Sequence, residues 1–394
     1  FDPGSGTENR TSAGGAAAFV SKLDSSGNYL WAKHFGGTGD DSGSSVAVDS
    51  SGNVHLTGTF RNTVDFNPDE DETAELTSSN STNSFVVKLN SSGNYLWAKQ
   101  FGGGSFSSVS AYAAAVDSSG NVYTIGSFTG TVDFDPDPSA TAELTSIGSG
   151  GNDVFVSKLD SSGNYLWARS FGGTGTHTGR SVAVDSSGNV YTTGDFKDTV
   201  DFDPDPSATA ELTPNGSNDV FVSKLDSSGN YLWAKSFGGT GNDFGHSVAV
   251  DSSGNVYTTG FFYDTVDFDP GSGTENFTSN GSRDPFVVKL NSSGNYLWAK
   301  SVGSSDHDAG FSVALDSSGN VYTTGYFDGT VDFDPDPSAT AELTPGGNDP
   351  FVWKLDSSGN YLWAKNFGGT STDYGSSVAV DSSGNVYTTG YFYG

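Results

Sequence analysis

The chain has 394 residues, more than a single hydrophobic core ordinarily supports, so it holds either two domains or a repeat architecture that grows by adding units. Its 47 acidic against 17 basic residues give a formal charge of −30, which repels nucleic acid and anionic lipid and attracts cations. Nucleic-acid partners and membrane insertion are therefore not expected. No apolar run approaches the roughly 18 residues of a membrane helix. There is no cysteine for a disulfide framework or a thiolate site, and the absence of methionine, position 1 included, points to a segment of a longer product.

In chain order, an acidic Asp-Pro-Gly stretch comes first, followed from Phe19 by a string that recurs from Phe85, Phe155, Phe221, Phe286 and Phe351. The spacings are 66, 70, 66, 65 and 65 residues, so there are six repeats. Each runs through a Phe-Val strand, an Asp/Asn-Ser-Ser-Gly-Asn turn, a Tyr-Leu-Trp-Ala-Lys strand and a Gly-rich loop. A Ser-Val-Ala-Val strand, the same turn again, a Val-Tyr-Thr-Thr-Gly strand and an acidic Pro-containing insertion complete it. The segments are short, β-branched and aromatic, and no helical period is present. Counting from Ser-Val-Ala-Val as the first strand, one full repeat has strands at 247–250, 256–260, 286–290 and 296–300. In each turn the Asp or Asn side chain caps the first position and glycine supplies the left-handed residue, which makes two tight hairpins per repeat.

A four-stranded sheet of this size cannot cover both its faces, so repeats must stack, and radial stacking leaves only short edges exposed. The expected fold is all-β: a six-bladed β-propeller of four-stranded antiparallel blades forming one domain over 1–394. The chain begins with the third and fourth strands of a repeat and ends with the first and second, so 376–394 plus 1–35 should form a composite blade, two strands from each terminus. The deficit against a full repeat is about three residues, roughly 10 Å of chain, which predicts that Gly394 lies near Phe1.

The strings Lys-Leu-Asp-Ser-Ser-Gly-Asn, Phe-Gly-Gly-Thr-Gly and Ser-Val-Ala-Val-Asp-Ser-Ser-Gly-Asn-Val-Tyr-Thr-Thr-Gly resemble the bacterial SBBP β-propeller repeat family over essentially the whole chain. The hairpin between the first two strands is also similar to that of NHL-type propellers. The resemblance implies an exported or surface protein, extracellular in setting, with no common catalytic residues.

Turns between first and second and between third and fourth strands share one face; the insertions and the loops from fourth to first strand share the other, where the repeats differ most. The insertions carry Asp133 and Asp135, Asp201 and Asp203, Asp267 and Asp269, and Asp332 and Asp334. Alternating carboxylates read either as solvated, turn-capping groups or as hard oxygen ligands for Ca²⁺. An EF-hand is excluded, because proline stands sixth and Leu144 twelfth counting from Asp133. Along an extended segment Phe134 would point inward, opposite its flanking aspartates.

The loops into the first strand carry Asp40, Asp41, His177, Asp243, Phe244, His246, Asp306, His307, Asp308, Asp373 and Tyr374, a set that forms a ligand patch if the loops converge and drifting solvent loops if they do not. The histidines sit at nonequivalent places, which argues against zinc. Lysines at fixed places on the third and fourth strands read as charges against edge aggregation. The six repeated tryptophans read as packing between repeats, and Trp353, in a place where other repeats have Ser or Val, is the one to examine for exposure. No nucleophile elbow, phosphate loop or His-Glu-x-x-His motif occurs. The expected function is a non-enzymatic, monomeric binding scaffold for a protein or glycan. The alternatives are a structural spacer in a larger exported protein and a Ca²⁺-dependent glycan-binding or glycan-processing propeller.

Overall fold

The turns form as their residues dictate. In the computed structural model, which describes every residue except Glu70, Asn80, Ser105, Ser149 and Gly394, Asp24 Oδ1 accepts the backbone N–H of Ser26 and of Asn28, each at 2.8 Å. Its Oδ2 accepts Asn28 Nδ2–H at 2.9 Å, and Gly27 takes φ 79°. The glycines of all twelve such turns lie between 76° and 84°, where a side chain would be strained. The expected approach of Gly394 to Phe1 lies outside the described residues.

These turns join strands that pair in chain order. Phe244–Val250, Val256–Asp267, Asn276–Leu290 and Tyr296–Ser301 make one antiparallel sheet, first strand to fourth. The same order holds for Ser42–Val48, Val54–Phe60, Asn83–Leu89 and Tyr95–Gly103, and for Ser108–Val116, Val122–Thr129, Asp153–Leu159 and Tyr165–Phe171. It holds again for Thr178–Val184, Val190–Phe196, Asp219–Leu225 and Tyr231–Phe237, and for Ala309–Leu315, Val321–Phe327, Asp349–Leu355 and Tyr361–Asn366. Two hairpins complete the set, Ala18–Leu23 with Tyr29–Phe35 and Tyr374–Val380 with Val386–Tyr391. Among the described residues there is no helix. The chain is thus all-β, a propeller-type repeat of small antiparallel sheets, and it groups into two compact units, Phe1–Gly179 and Arg180–Gly394.

The insertions are more ordered than their Pro and Asp content suggests. Each carries a short hairpin, such as Thr131–Asp133 against Glu143–Thr145. In one repeat it continues the main sheet, which is why the second and third strands there run well past the expected 256–260 and 286–290. The hairpin brings Phe134 into the core, as the alternation predicts, where its ring lies 5.7 Å from Phe128 and 4.8 Å from Phe155. Equivalent triads are Phe60, Phe66 and Phe85, then Phe262, Phe268 and Phe286, then Phe327, Phe333 and Phe351, all buried. One phenylalanine from the second strand, one from the insertion and one from the third strand thereby tie the acidic hairpin to the sheet.

The third-strand lysines depart from the expected role. That strand is interior to the sheet, and Lys88, Lys158, Lys224 and Lys289 are buried. Lys289 Nζ donates to Ser357 O at 2.8 Å, a carbonyl in the next repeat's turn, and Trp298 Nε1 donates to the same oxygen at 3.2 Å. Lys88 and Trp97 grip Ser161 O in the same way. The ammonium of Lys289 sits 4.9 Å from the Tyr257 ring centroid, and Trp298 packs edge-on against that ring. The repeated tryptophans are therefore packing groups between repeats. Trp353 is fully buried, its Nε1 donating to Phe333 O at 2.9 Å. Truncating Phe333 to alanine removes a shared triad ring, and urea unfolding should show a loss of about 3–5 kcal/mol.

Candidate functional site

The insertion carboxylates serve the backbone. Asp133 Oδ1 accepts the N–H of Asp135 at 3.0 Å and of Ala142 at 2.8 Å, closing the hairpin. Asp135 Oδ1 accepts Asp137 N–H in turn. Asp201 with Asp203, Asp267 with Asp269 and Asp332 with Asp334 repeat this chain of turns. Among the described residues no three His, Asp or Glu side chains gather as a metal-ligand set.

The loops into the first strands are likewise stitched from within. Asp243 is buried; its Oδ2 accepts Gly239 N–H at 2.8 Å, its Oδ1 accepts Tyr263 N–H at 2.9 Å, and its own N–H donates to Asn218 O at 2.8 Å. One residue thus fastens three segments: its side chain holds its own loop and the second strand, and its backbone N–H holds the lead-in to a third strand. Asp41, Asp308 and Asp373 do the same work on Gly37 and Arg61, on Ser304 and Asp328, and on Gly369 and Tyr393. His177, also buried, occupies the equivalent place and donates its N–H to Asn152 O. These five are structural clips. Of the remaining expected ligand-face residues, Asp40, Asp306 and His307 are exposed, while Phe244, His246 and Tyr374 are half-buried.

Sequence reasoning missed a second row of acids. Asp153, Asp219, Asp284 and Asp349 open third strands, are nearly inaccessible, and each keeps an Oδ1 without a hydrogen-bond partner. Each stands 24 positions before a clip residue, and a glycine makes room for it: a Cβ on Gly303 would fall 2.2 Å from Asp284 Cγ. Burial pushes the Asp153 and Asp219 carboxyls up to about 6 and that of Asp284 up to about 7, the last helped by the Asp308 charge. Asp243 is likewise pushed up to about 7 by burial, with Asp219 and Asp264 adding to the effect.

On the first and second strands of Arg180–Gly394 a different chemistry collects. The ring of Phe261 is 5.0 Å from Phe244 and 5.4 Å from His246, and His246 reaches Phe311 at 5.0 Å. The row continues through Tyr326, Tyr374 and Tyr391. Two guanidiniums lie on it, Arg180 at 5.7 Å from Phe244, and Arg283 at 4.4 Å from Phe261 and 5.7 Å from Tyr326. Arg180 pairs with Asp195 at 2.8 Å. Arg283 donates to the Tyr326 hydroxyl, makes no ion pair among the described residues, and keeps a buried Nε–H without an acceptor. Burial, then Arg180 and Arg283, hold the His246 imidazole down to about 3, so it is neutral. The clue in the sequence was the replacement of small residues at fixed strand places, visible only once the repeats are aligned by register.

Two measurements test this assignment of carboxylates. Carboxyls raised in the folded state favour folding when protonated, so their contribution is complete below about pH 4 and is lost as pH rises through about 6 to 7. Each of these carboxyls should lower stability by an amount on the order of 2 kcal/mol between pH 5 and 8. Asp219→Asn, which installs the amide that Asn83 provides at the equivalent place, should flatten that slope. Millimolar Ca²⁺ should move the melting temperature of metal-stripped protein no more than Mg²⁺ does; a Ca²⁺-specific rise would make the insertion carboxylates ligands.

The matching family model follows this repeat geometry. The SBBP β-propeller repeat matches residues 30–59, 166–195, 232–260 and 362–391, each running from a fourth strand through the following hairpin. The chain is 26% identical over 439 residues to an uncharacterized WD repeat-containing protein of Acanthamoeba polyphaga mimivirus, covering 92% of this chain and 31% of that protein. It is 27% identical over 225 residues to the regulatory protein FlaEY of Caulobacter vibrioides, covering 56% of this chain and 23% of that protein. The chain therefore spans less than a third of the length of either relative. Among solved structures, Sqt1 from Chaetomium thermophilum aligns with 90% of this chain and 95% of its own at 13% identity and a TM-score of 0.37. The extracellular domain of a putative hybrid two-component system from B. thetaiotaomicron aligns with 88% of this chain and 52% of its own, at 12% identity and a TM-score of 0.18. Four segments of the chain, each containing a hairpin built on the same aspartate-capped turn, thus match the SBBP β-propeller repeat.

Proposed function

We propose that this chain is a non-enzymatic interaction scaffold, working at the cell surface or outside the cell, whose binding surface is the aromatic and arginine row of its C-terminal unit. The observation that carries this reading is an inequality between equivalent positions. In the register where Phe244 pairs with Phe261 and Tyr374 with Tyr391, the N-terminal unit has Ser42 against Thr59 and Ser110 against Ser127. Small hydroxyl residues satisfy the fold at these places, so packing alone does not require aromatics there. Half-buried Phe, Tyr and Arg are the residues that anchor partners at interfaces. The relatives' descriptions, WD repeat-containing and regulatory, are in keeping with a binding role. The extracellular setting rests on the repeat resemblance. Selection from a phage-displayed random peptide library should yield peptides that bind the wild type and lose at least tenfold in affinity for the triple variant Phe244→Ser, Phe311→Ser, Tyr374→Ser. Equal binding to both proteins would refute the assignment.

We further propose that six repeats close into one propeller domain through the terminal hairpins. Phe392 occupies the second-strand place of Phe327, Phe1 the insertion place of Phe333, and Phe19 the third-strand place of Phe351. Phe1 and Phe19 already stack at 5.0 Å, yet they are 45% and 55% exposed and Phe392 is 84% exposed, against 1% or less for the Phe327 triad. Closure would assemble a sixth triad. Phe392→Ala should then cost about 3 kcal/mol or more; a loss below about 0.5 kcal/mol, the scale of an exposed substitution, would mean that the ends stay apart.

A further inference from the structure

We infer that the aromatic row recognises a carboxylate presented by a protein segment next to an apolar side chain, with Arg283 as the residue that binds the carboxylate. This rests on the scaffold reading above and adds the chemistry of the partner. Only five basic residues, Arg10, Arg61, Arg180, Lys197 and Arg283, stand outside the repeated lysine and arginine places of the third and fourth strands, and two of them meet on this row. The protein carries 30 excess negative charges, and still Arg283 pairs with no carboxylate among the described residues. Its guanidinium is instead held between the rings of Phe261 and Tyr326 with a donor left over. A planar cation fixed by aromatic faces is already ordered for bidentate contact with a carboxylate, and little side-chain entropy remains to be lost on binding. Arg180, 5.7 Å from the Phe244 ring, adds positive potential to the row, although Asp195 compensates it in part. After burial, the charges of Arg180 and Arg283 both help hold the neighbouring His246 imidazole below its ordinary titration range.

The row favours a peptide over a sugar for a stated reason. A glycan's hydroxyls need many acceptors, and the carboxylates nearest the row are committed: Asp243 and Asp308 to backbone N–H groups, Asp195 to Arg180. What the row offers is ring faces and guanidinium donors, which suit an apolar side chain beside an acid.

Arg283 can be removed with little structural consequence, because the equivalent places before Asp153, Asp219 and Asp349 are Asn152, Asn218 and Asn348. Arg283→Asn therefore installs a residue that three sibling repeats already accommodate. The probes are acetyl-Phe-Glu-Phe-Glu-Phe-amide, its glutamine counterpart, and trigalacturonate, titrated into the full chain by calorimetry at fixed ionic strength. Proton resonances of His246 are followed as a second readout. The glutamate peptide should bind at least tenfold more tightly than the glutamine peptide. Arg283→Asn, melting within a few degrees of the wild type, should reduce that ratio to below twofold. A bound carboxylate should also raise the titration midpoint of His246, while the glutamine peptide should leave it in place. Equal affinity for the two peptides would overturn the carboxylate inference and leave the scaffold reading standing. Preference for trigalacturonate would overturn the peptide as partner class. Absence of binding by any probe would also overturn the inference, and the scaffold reading would then be decided by the library selection alone.

Discussion

A four-stranded sheet whose second and third strands are apolar on both faces cannot exist alone in water, and this molecule is arranged around that fact. Strands such as Asp153–Leu159 and Val190–Phe196 are buried at every residue. Their cover comes from two kinds of contact. Within a repeat, the insertion folds back as a hairpin and delivers a phenylalanine to the triad. Between adjacent repeats, a lysine and a tryptophan on neighbouring strands converge on one turn carbonyl of the next repeat, as Lys224 and Trp233 do on Ser292 O. The charge of the lysine is kept partly buried because it has both that carbonyl and the face of Tyr191 to interact with. The uniform turns are thus also the sockets into which the preceding repeat plugs.

Most of the protein's acidity is consumed in the same economical manner. Turn aspartates cap hairpins, insertion aspartates close a second set of turns, and clip aspartates fasten loops to strand ends. A carboxylate that accepts two backbone N–H groups replaces two water contacts with two charge-assisted bonds, which accounts for the chain's tolerance of so many acids. The third-strand row, Asp153, Asp219, Asp284 and Asp349, departs from this pattern, since one oxygen of each is sealed off without a donor. In Asp153, Asp219 and Asp284 burial then favours the neutral acid, and Asp308 pushes Asp284 in the same direction.

Against this repetitive background, the aromatic and arginine row stands out because the fold does not demand it. The strand register that places Phe244 against Phe261 places serine and threonine at the same positions elsewhere. Phe261 and Tyr326 are buried there, while Phe244, Phe311 and Tyr374 keep part of their surface exposed, and Arg283 is held among these rings without an ion pair among the described residues.

The sequence alone determined the strand order, the turn chemistry and the repeat count, because Asp-Ser-Ser-Gly-Asn favours one local conformation and each repeat, 65 to 70 residues long, carries it or its Asn variant twice. The inward direction of Phe134 followed from alternation, and the packing role of the tryptophans from their single fixed place. Burial across repeats was not legible, since it depends on which turn each side chain reaches. Lys289 reads as a surface charge until Ser357 O lies beside it, Trp353 as a surface ring until Phe333 O accepts its N–H, and Asp243 as a loop carboxylate until Tyr263 arrives from twenty residues away. The same holds for the row: Arg180, His246, Phe261 and Arg283 are scattered through four stretches of chain. Only the tertiary structure, which sets neighbouring sheets side by side through contacts of long sequence separation, brings them onto one surface.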